Sequence, residues 1–207
     1  MKIGLIGAGR LGICLALLME NAGYDVLVSD IREDYVENLN KKIIQTAEPH
    51  VAEHLKEATN IEATTDNKRV IAECDIIFTL VATPSSPDGS YDVSAVWNVV
   101  RDFQEYQDVS GKTLVVGCTT NPGDCERFQE QLKSYGVSVI YNPEFIAQGS
   151  IIKDLTHADM VLIGGDNEEV MHVLSEMYKK IQVIKPKISC MSLTAAELVK
   201  LAVNCYL

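Results

Sequence analysis

Basic residues are scarce in this sequence: 18 Lys and Arg stand against 29 Asp and Glu among 207 residues, a formal net charge of −11. Binding to a nucleic-acid backbone requires clustered cations that displace counterions, so the composition argues against a nucleic-acid partner. Apolar runs long enough to cross a bilayer are missing, and the chain opens on a strand pattern instead of a basic and apolar leader. We therefore expect a cytoplasmic protein with no membrane partner, whose ligand is a small molecule.

The six cysteines are not arranged in C-x-x-C pairs, so neither a disulfide framework nor a thiolate metal site is indicated. Most of them lie in apolar periodic segments, which is typical of reduced, buried thiols. Aromatic residues are also few, at 6%, but hydrophobic residues make up 47% of the chain. This content is ample for the core of one large or two small domains.

The most informative stretch is a glycine turn between an apolar strand and an apolar helix near the start of the chain. Its residues are Gly7-Ala8-Gly9-Arg10-Leu11-Gly12. In this pattern the first glycine permits a tight turn, the second lets the backbone approach a pyrophosphate, and the third lets the helix pack closely. The helix start also offers free N–H groups and a positive dipole end. We expect these six residues to bind a dinucleotide; an ordinary glycine-rich turn is the plain alternative.

The acidic residue that this pattern requires about 20 residues later is Asp30, at the end of a second predicted strand, residues 25–30. Its carboxylate can accept hydrogen bonds from the adenine ribose hydroxyls and would repel a 2′-phosphate. NAD is therefore favoured over NADP, although Arg32 nearby weakens that preference.

The remainder of the chain alternates between predicted strands and helices, which is typical of βαβ units and a parallel sheet. The further predicted strands span residues 61–66, 75–81, 113–117, 137–141, 160–165 and 183–186. The predicted helices span residues 11–21, 33–59 with a break at Pro49, 67–74, 93–106, 122–135, 167–181 and 192–207. We expect an α/β, Rossmann-type, doubly wound and mostly parallel sheet with helices on both faces over residues 1–190. Residues 191–207 would begin a long interdomain helix.

Two polar residues follow predicted strands, where open parallel sheets bind their ligands. Thr83 is a candidate to contact the cofactor, although a strand-ending turn explains it as well. Glu144 lies beside Phe145 and Ile146 and could be a partly desolvated carboxylate of raised basicity, suited to general base catalysis. A surface glutamate fits the sequence equally well.

A metal site is suggested only by His50-Val-Ala-Glu53-His54, which matches the H-x-x-E-H pattern of zinc proteases. A third ligand is not evident, and the segment lies inside a predicted dinucleotide fold. We interpret it as a solvated helix face and expect no metal.

The last predicted helix has apolar residues on more than one face. They are Leu193, Ala196, Leu198, Val199, Ala202 and Val203. We expect such a helix to be buried on several sides. The 207 residues contain no further segment to cover it, so we expect additional protein to do so.

Together these motifs resemble the N-terminal half of the UDP-glucose/GDP-mannose dehydrogenase family over nearly the whole chain. The segments that carry the resemblance are the glycine turn, Val81-Ala-Thr-Pro84, Cys118-Thr-Thr-Asn-Pro-Gly123 against a usual S-T-V-P-P-G, Asn142-Pro-Glu-Phe145, the strand ending at Gly165, and Ala196-Glu-Leu-Val-Lys-Leu-Ala-Val-Asn204. The N-P-E-F form looks most like the UDP-glucose dehydrogenases.

The resemblance implies oxidation of the sugar C6 alcohol to a carboxylate, UDP-glucose to UDP-glucuronate, with two NAD reduced. A cysteine thiol would capture the aldehyde, and water would hydrolyse the resulting thioester. Carried over by position, Glu144 is the acid/base and Lys200 the cation that stabilises oxyanions. Asn204 would contact the substrate and the reacting water, and Thr119 would lie beside the nicotinamide and the sugar. Phe145 and Ile146 fall in the same implied substrate site.

Two departures from the family pattern stand out. Gln148 replaces a usual glutamate; it can hydrogen-bond to the cofactor or substrate but cannot take a proton. The nucleophilic cysteine of the family lies in a C-terminal loop, and neither Cys118 nor Cys205 occupies its position. We therefore expect this chain to be the N-terminal half of an enzyme, to lack the UDP-binding half and to be inactive alone. We expect the complete protein to form a homodimer through the C-terminal helix.

Two alternatives stay open: a stand-alone NAD-binding regulatory module, and another β-hydroxyacid-type dehydrogenase with the same opening. A sensor of NAD needs none of Glu144, Lys200 and Asn204, so these residues discriminate.

Overall fold

A computed structural model describes residues 1–146 and 149–206 of the chain. The strands are β1 Lys2–Ile6, β2 Asp25–Ser29, β3 Ile61–Thr64, β4 Ile76–Thr79, β5 Thr113–Val116, β6 Ser138–Tyr141, β7 Met160–Gly164 and β8 Lys187–Met191. The helices are α1 Arg10–Asn21, α2 Glu33–Asn40, α3 Val51–Glu57, α4 Asn67–Glu73, α5 Ser94–Glu105, α6 Asp124–Lys133, α7 Ile151–Thr156, α8 Glu168–Ile181 and α9 Leu193–Tyr206.

The strands form one sheet in the order β3-β2-β1-β4-β5-β6-β7-β8. Neighbouring strands are parallel except β6 and β7, which pair antiparallel. The strand order reverses between β1 and β4, so this is the point where an open α/β sheet leaves a crevice at its carboxyl edge. The doubly wound, mostly parallel sheet predicted from the sequence is confirmed.

Helices cover both faces of the sheet because its central strands are apolar on both sides. Along β4, Phe78 points to the face covered by α1, α3, α7 and α8, whereas Ile77 points to the face covered by α4, α5, α6 and α9. Both side chains are fully buried. The carboxyl edge of the sheet is therefore held between two packed layers.

The strand predicted at residues 183–186 is wrong. Val183 is 72% exposed, and the strand that pairs with β7 is β8, which starts after Pro186. Proline has no N–H to donate into a strand ladder, which makes it a poor strand residue. The apolar Val183 and Ile184 instead lie on an exposed connection.

Three helical regions also differ from the prediction. In the segment 33–59, α2 ends at Asn40 and α3 begins at Val51, so ten residues without helix, 41–50, separate them and not a break at Pro49 alone. α7 was not predicted, because its six residues are too short to show a period, although Ile151 and Leu155 are buried. α6 begins at Asp124 and not at Pro122, since Gly123 adopts a left-handed φ of 92° just before it.

α9 packs against β6, β7 and α6 on one side. The buried residues of this helix are Leu193, Ala196, Glu197 and Lys200, whereas Leu198 is 54% exposed. Within the described residues the helix is thus covered on one face only, and the burial of its other apolar positions stays a prediction. The domain boundary predicted after residue 190 also stays a prediction. None of the helices that the structure describes is long and apolar enough to cross a membrane.

Candidate functional site

The glycine turn has the geometry that its sequence pattern requires. Gly7 has a left-handed φ of 98°, and a Cβ there would approach the Leu80 backbone to 2.8 Å. A Cβ on Gly12 would lie 2.1 Å from the Gly7 carbonyl oxygen. A Cβ on Gly9 would meet nothing within 4 Å, so the start of α1 faces open space. The first and third glycines are thus needed for packing, and the second leaves room for a ligand.

A cleft of about 590 Å³ opens at this turn, at the reversal point of the sheet. Gly7, Gly9, Arg10, Leu11 and Gly12 line it. The volume suits a small-molecule or cofactor site. A helix start without a side chain at its cap position, open to such a cleft, fits a pyrophosphate.

Among the described residues, three that were predicted to contact the cofactor lie off the lining of this cleft: Ala8, Thr83 and Thr119. Ala8 is fully buried beneath it, and its N–H donates to the Ser29 carbonyl at 3.1 Å. Thr83 is partly buried and directly follows three residues that line the cleft, Leu80, Val81 and Ala82. The roles of Ala8, Thr83 and Thr119 stay predictions.

Asp30 lines the cleft at the end of β2 and is paired with Arg32. The Arg32 guanidinium donates from Nε to Oδ1 at 2.8 Å and from Nη2 to Oδ2 at 2.9 Å, and its backbone N–H donates to Oδ1 at 3.1 Å. Burial acts to raise the pKa of Asp30, but the hydrogen bonds and charge of Arg32 outweigh it, so the pKa is lowered. Asp30 is therefore an ionised acceptor at neutral pH.

The cleft has polar residues that the sequence did not reveal. Ser29 donates to Asn67 Oδ1 at 2.7 Å, and Asn67 Nδ2 donates to Asp102 at 2.8 Å. Asn67 and Asn98 both line the cleft. They come from α4 and α5, and no local spacing marks them, because only the folded sheet brings these helices to the glycine turn.

A second group of polar residues gathers around Glu144, just after β6. Glu144 is partly buried, and Tyr178 on α8 lies 2.6 Å from its Oε1. Burial raises the pKa of Glu144 to about 7, although Tyr178 and Lys200 act to lower it. The carboxyl group can therefore exchange a proton near neutral pH.

Lys200, on α9, lies beside this carboxyl group. Its Nζ donates to the Glu144 backbone carbonyl at 2.6 Å and lies 4.6 Å from the centroid of the Phe145 ring. The side chain is 7% exposed, and burial lowers the pKa of Lys200 while Glu144 acts to raise it. A desolvated cation of this kind interacts strongly with a negative charge that develops nearby.

Glu197, one turn before Lys200 on α9, fixes the loop after β5. It is fully buried, and its carboxylate accepts hydrogen bonds from the Thr120 hydroxyl at 2.8 Å, the Gly123 N–H at 2.6 Å and the Cys125 N–H at 2.9 Å. These N–H groups lie at the start of α6, where a negative charge is favourable. The sequence reasoning missed this role. Thr119, next to Thr120, is partly buried on the same loop.

The cleft and the Glu144 group are neighbours on the carboxyl edge of the sheet. A Cβ on Gly117, after β5, would lie 2.5 Å from Leu80 Cδ2 and 3.5 Å from the Asn142 carbonyl oxygen. Leu80 lines the cleft, and Asn142 is two residues before Glu144. The sequence-predicted cofactor turn and acid/base are thus brought together.

The other predicted substrate residues lie around this group in different ways. Phe145 and Ile146 are partly buried and pack on opposite cores. Asn204 is exposed, four residues after Lys200 on α9, so the two share a helix face. Gln148 lies outside the described residues. The buried Glu48 accepts a hydrogen bond from the Gly149 N–H at 2.9 Å and so fixes the chain just before α7.

Cys118 lies at the end of β5, close to Thr119, but its thiol is poorly suited to nucleophilic attack. Burial raises the pKa of Cys118 to about 12, so little thiolate forms at neutral pH. Cys14, Cys74 and Cys125 are buried as expected, whereas Cys190 and Cys205 are exposed, contrary to the general expectation of buried thiols.

The two histidines of the H-x-x-E-H pattern do not share one helix face. His50 precedes α3 with a left-handed φ of 66°, and its Nδ1 lies 3.1 Å from Glu53. His54 Nδ1 lies 2.7 Å from Asn21 Nδ2. In the parts of the chain that the structure describes, no three potential ligands gather around one point.

Comparison with known proteins shows the family and the fold of this chain. The sequence model of the UDP-glucose/GDP-mannose dehydrogenase family, NAD binding domain, matches residues 1–182. This chain belongs to that family. The UDP-glucose 6-dehydrogenase of Rickettsia conorii is 31% identical over 212 residues, which cover 100% of this chain and 48% of that protein. The chain spans about half the length of the curated relatives it matches.

Solved structures of nucleotide-sugar dehydrogenases have the same fold. The UDP-D-ManNAc dehydrogenase of Pyrococcus horikoshii superposes with a TM-score of 0.89 and 26% identity, covering 100% of this chain and 50% of that one. The UDP-glucose dehydrogenase of Pyrobaculum islandicum gives a TM-score of 0.87 and 27% identity, covering 99% and 49%. The family resemblance predicted from the motifs is confirmed, and NAD is the cofactor of this nucleotide-sugar dehydrogenase domain.

Proposed function

We propose that this chain is the NAD-binding half of an enzyme that oxidises the C6 alcohol of UDP-glucose to the carboxylate of UDP-glucuronate, reducing two NAD. The observation that carries the proposal is the convergence of Glu144 and Lys200 beside the cofactor cleft, with Lys200 Nζ 2.6 Å from the Glu144 carbonyl. UDP-glucose is favoured among nucleotide sugars because relatives about 30% identical carry that activity in their names.

Lys200 and Glu144 have different proposed roles in the reaction, and the burial and contacts of each side chain support its role. The glycine turn and Asp30 would hold NAD, which would supply the acceptor for a hydride from the sugar C6. Lys200 stabilises the negative oxygen that forms as the C6 hydroxyl loses its proton, since an ammonium has three donors and the Glu144 carbonyl uses one. Glu144 takes a proton, because a pKa of about 7 leaves part of it ionised at neutral pH.

The second oxidation requires a thiol that captures the aldehyde, and we assign it to the half of the family that this chain does not span. Cys118 is a poor candidate because burial keeps its thiol protonated. The thiohemiacetal formed in this way becomes a thioester only when its carbon gives up a hydride, for which a second NAD would be the acceptor. Hydrolysis of the thioester then needs a base beside the attacking water: the water oxygen bonds to the carbonyl carbon, one of its protons passes to Glu144, and the carbon–sulfur bond breaks with the thiolate as the leaving group. Asn204, which shares a helix face with Lys200, would orient that water from α9.

A stand-alone NAD-binding regulatory module is the second candidate. Such a sensor needs the glycine turn, Asp30 and the cleft, but it gives no reason to desolvate Lys200 next to a carboxyl of raised pKa. That pairing favours the enzyme. Homodimer formation through α9 and a cytoplasmic location belong to the same proposal.

Turnover measurements test the proposal. The 207-residue chain should bind NAD in a calorimetric titration but give no steady NADH production, followed at 340 nm, with UDP-glucose. In a chain extended by the second half that its relatives carry, UDP-glucose should be oxidised, and Lys200→Ala should lower kcat by about 10²–10³-fold.

Lys187→Ala is the matched control, since Lys187 is an exposed lysine at the start of β8. Steady turnover by the 207 residues alone, or an extended chain indifferent to Lys200→Ala, would show that the chemistry lies elsewhere. Oxidation of UDP-ManNAc in place of UDP-glucose would keep the reaction and change the sugar.

A further inference from the structure

One hydroxyl hydrogen faces two acceptors beside the proposed acid/base. Tyr178 Oη lies 2.6 Å from Glu144 Oε1 and 2.7 Å from Asn142 Oδ1. A phenol has a single hydrogen to donate. The Asn142 amide is oriented by its own donor, because Nδ2 donates to the Leu162 carbonyl at 2.9 Å. Its oxygen, which can only accept, therefore faces Tyr178.

Only one placement of hydrogens makes both short contacts at once. Glu144 must carry a proton and donate it to Tyr178, while Tyr178 donates its own hydrogen to Asn142. If Glu144 is ionised, the hydrogen of Tyr178 can serve one acceptor and leaves the other without a donor. Asn142 is 2% exposed and Tyr178 1% exposed, so water does not easily replace the lost partner.

We propose that Asn142 and Tyr178 are positioning residues that hold the proton on Glu144: Asn142 occupies the only hydrogen of Tyr178, and Tyr178 accepts a hydrogen bond from the neutral carboxyl group. The importance of this arrangement for catalysis rests on the proposed function, but the hydrogen-bond argument rests on the geometry. When the proton leaves Glu144 Oε1, the hydroxyl of Tyr178 rotates from Asn142 Oδ1 to Glu144 Oε1. Tyr178 remains a neutral phenol throughout.

Two titratable groups of the described residues act on the Glu144 carboxyl. Tyr178 on α8 lowers the pKa of Glu144 when its hydroxyl donates to the carboxylate, and Lys200 on α9 lowers it through its charge. Asn142 opposes the first effect by accepting the only hydrogen of Tyr178. Burial and the neighbouring Glu144 raise the pKa of Tyr178 well above its ordinary value, so this phenol does not ionise in the working range. The charge of Lys200 favours the ionised carboxylate and opposes the effect of burial. Asn142, which carries no charge, is thus the group whose removal isolates the hydrogen-bond effect.

A double-mutant cycle on the 207-residue chain tests the proposal. The variants are Asn142→Ala, Tyr178→Phe and both together, and the Glu144 carboxyl band is followed by infrared spectroscopy with ¹³C-labelled glutamate between pH 5 and 9. Glu144→Gln identifies the band. Asn142→Ala should lower the titration midpoint of Glu144 by about one pH unit, because the Tyr178 hydrogen then serves the carboxylate alone. In the Tyr178→Phe background, Asn142→Ala should move the titration midpoint of Glu144 by less than about 0.3 pH unit.

A midpoint unchanged or raised by Asn142→Ala, or an equal shift in both backgrounds, would overturn the proposal. Asn142→Ala also removes the bond to the Leu162 carbonyl, so circular dichroism must show that the variant is folded. If the variant is not folded, the unmodified chain provides the test. An infrared C–O band of tyrosine should shift with the same pH midpoint as the Glu144 carboxyl band, and this band should be missing in Tyr178→Phe. A tyrosine band that does not change with pH refutes the proposal. None of these readouts uses turnover, so an extended chain that shows this titration but oxidises no nucleotide sugar would refute the proposed function alone.

Discussion

Replacing Glu144 with Gln should stabilise the domain, and increasingly so as the pH rises. Burial raises the pKa of Glu144 from 4.5 to about 7, so the folded chain holds this proton more tightly than the unfolded chain does. For a pKa raised by folding, the stabilisation is complete below the unfolded value of 4.5 and is lost as the pH rises through about 7. Glutamine stays neutral and does not follow this change.

The magnitude follows from the two pKa values. Each pH unit between 4.5 and about 7 is worth about 1.4 kcal/mol, so ionisation of Glu144 lowers the free energy of unfolding by at most about 3.4 kcal/mol, a limit approached above pH 8. Most of this loss falls between pH 5 and pH 8, where we expect the difference between Glu144→Gln and the unmodified chain to grow by about 2.5 kcal/mol. Other groups titrate in both proteins and cancel in the difference.

The assay is urea unfolding followed by circular dichroism at pH 5, 6, 7 and 8, with linear extrapolation of the free energy of unfolding. Glu126→Gln is the matched control, because it removes an exposed carboxylate from α6 and should give a difference that hardly changes with pH. A difference for Glu144→Gln that is constant with pH, or that favours glutamate as the pH rises, would refute the reasoning.

Three further predictions concern the cofactor, the metal and the thiols. Asp30→Ala should weaken NAD binding by about 1.5–3 kcal/mol in calorimetric titrations, whereas NADP should lose less or gain, because Arg32 becomes available to a 2′-phosphate; equal losses would contradict the ribose assignment. Elemental analysis of chain purified without chelator should find no stoichiometric zinc, and about one zinc per chain that disappears in His54→Ala would establish a metal site. Iodoacetamide at pH 8 should alkylate Cys190 at least about tenfold faster than Cys118, as measured by peptide mass mapping, and comparable rates would show that Cys118 ionises readily.

The cofactor end of the site could be predicted from the sequence because its signals are local. Gly7, Gly9 and Gly12 lie within six residues; the backbone shows a steric requirement for glycine at Gly7 and Gly12, and open space at Gly9. Asp30 follows at the distance that one strand–helix–strand unit sets. Glu144 could be named because it follows a strand, but the pattern alone could not separate it from a surface glutamate.

Lys200 could be named only through the family resemblance, and the other polar residues around Glu144 and on the loop after β5 could not be predicted, because they are brought together from distant parts of the chain. Tyr178 lies 34 residues after Glu144 and looks like one more core aromatic on the apolar face of α8. Glu197 lies 77 residues after Thr120, and nothing near it in the sequence marks it as the cap of α6. The misplaced strand before β8 has a different cause: Val183 and Ile184 are apolar yet exposed, which a hydrophobic pattern does not anticipate.

The position of α9 has a consequence for the order in which the site forms during synthesis. Glu197 and Lys200 reach back 77 and 56 residues to the loops after β5 and β6. A nascent chain that has emerged only as far as β8 can form the glycine turn and every strand, yet it lacks both of these contacts. Because long-range contacts form late in folding, the cofactor cleft should take shape well before the group around Glu144, and the emergence of α9 should set the moment at which that group is completed.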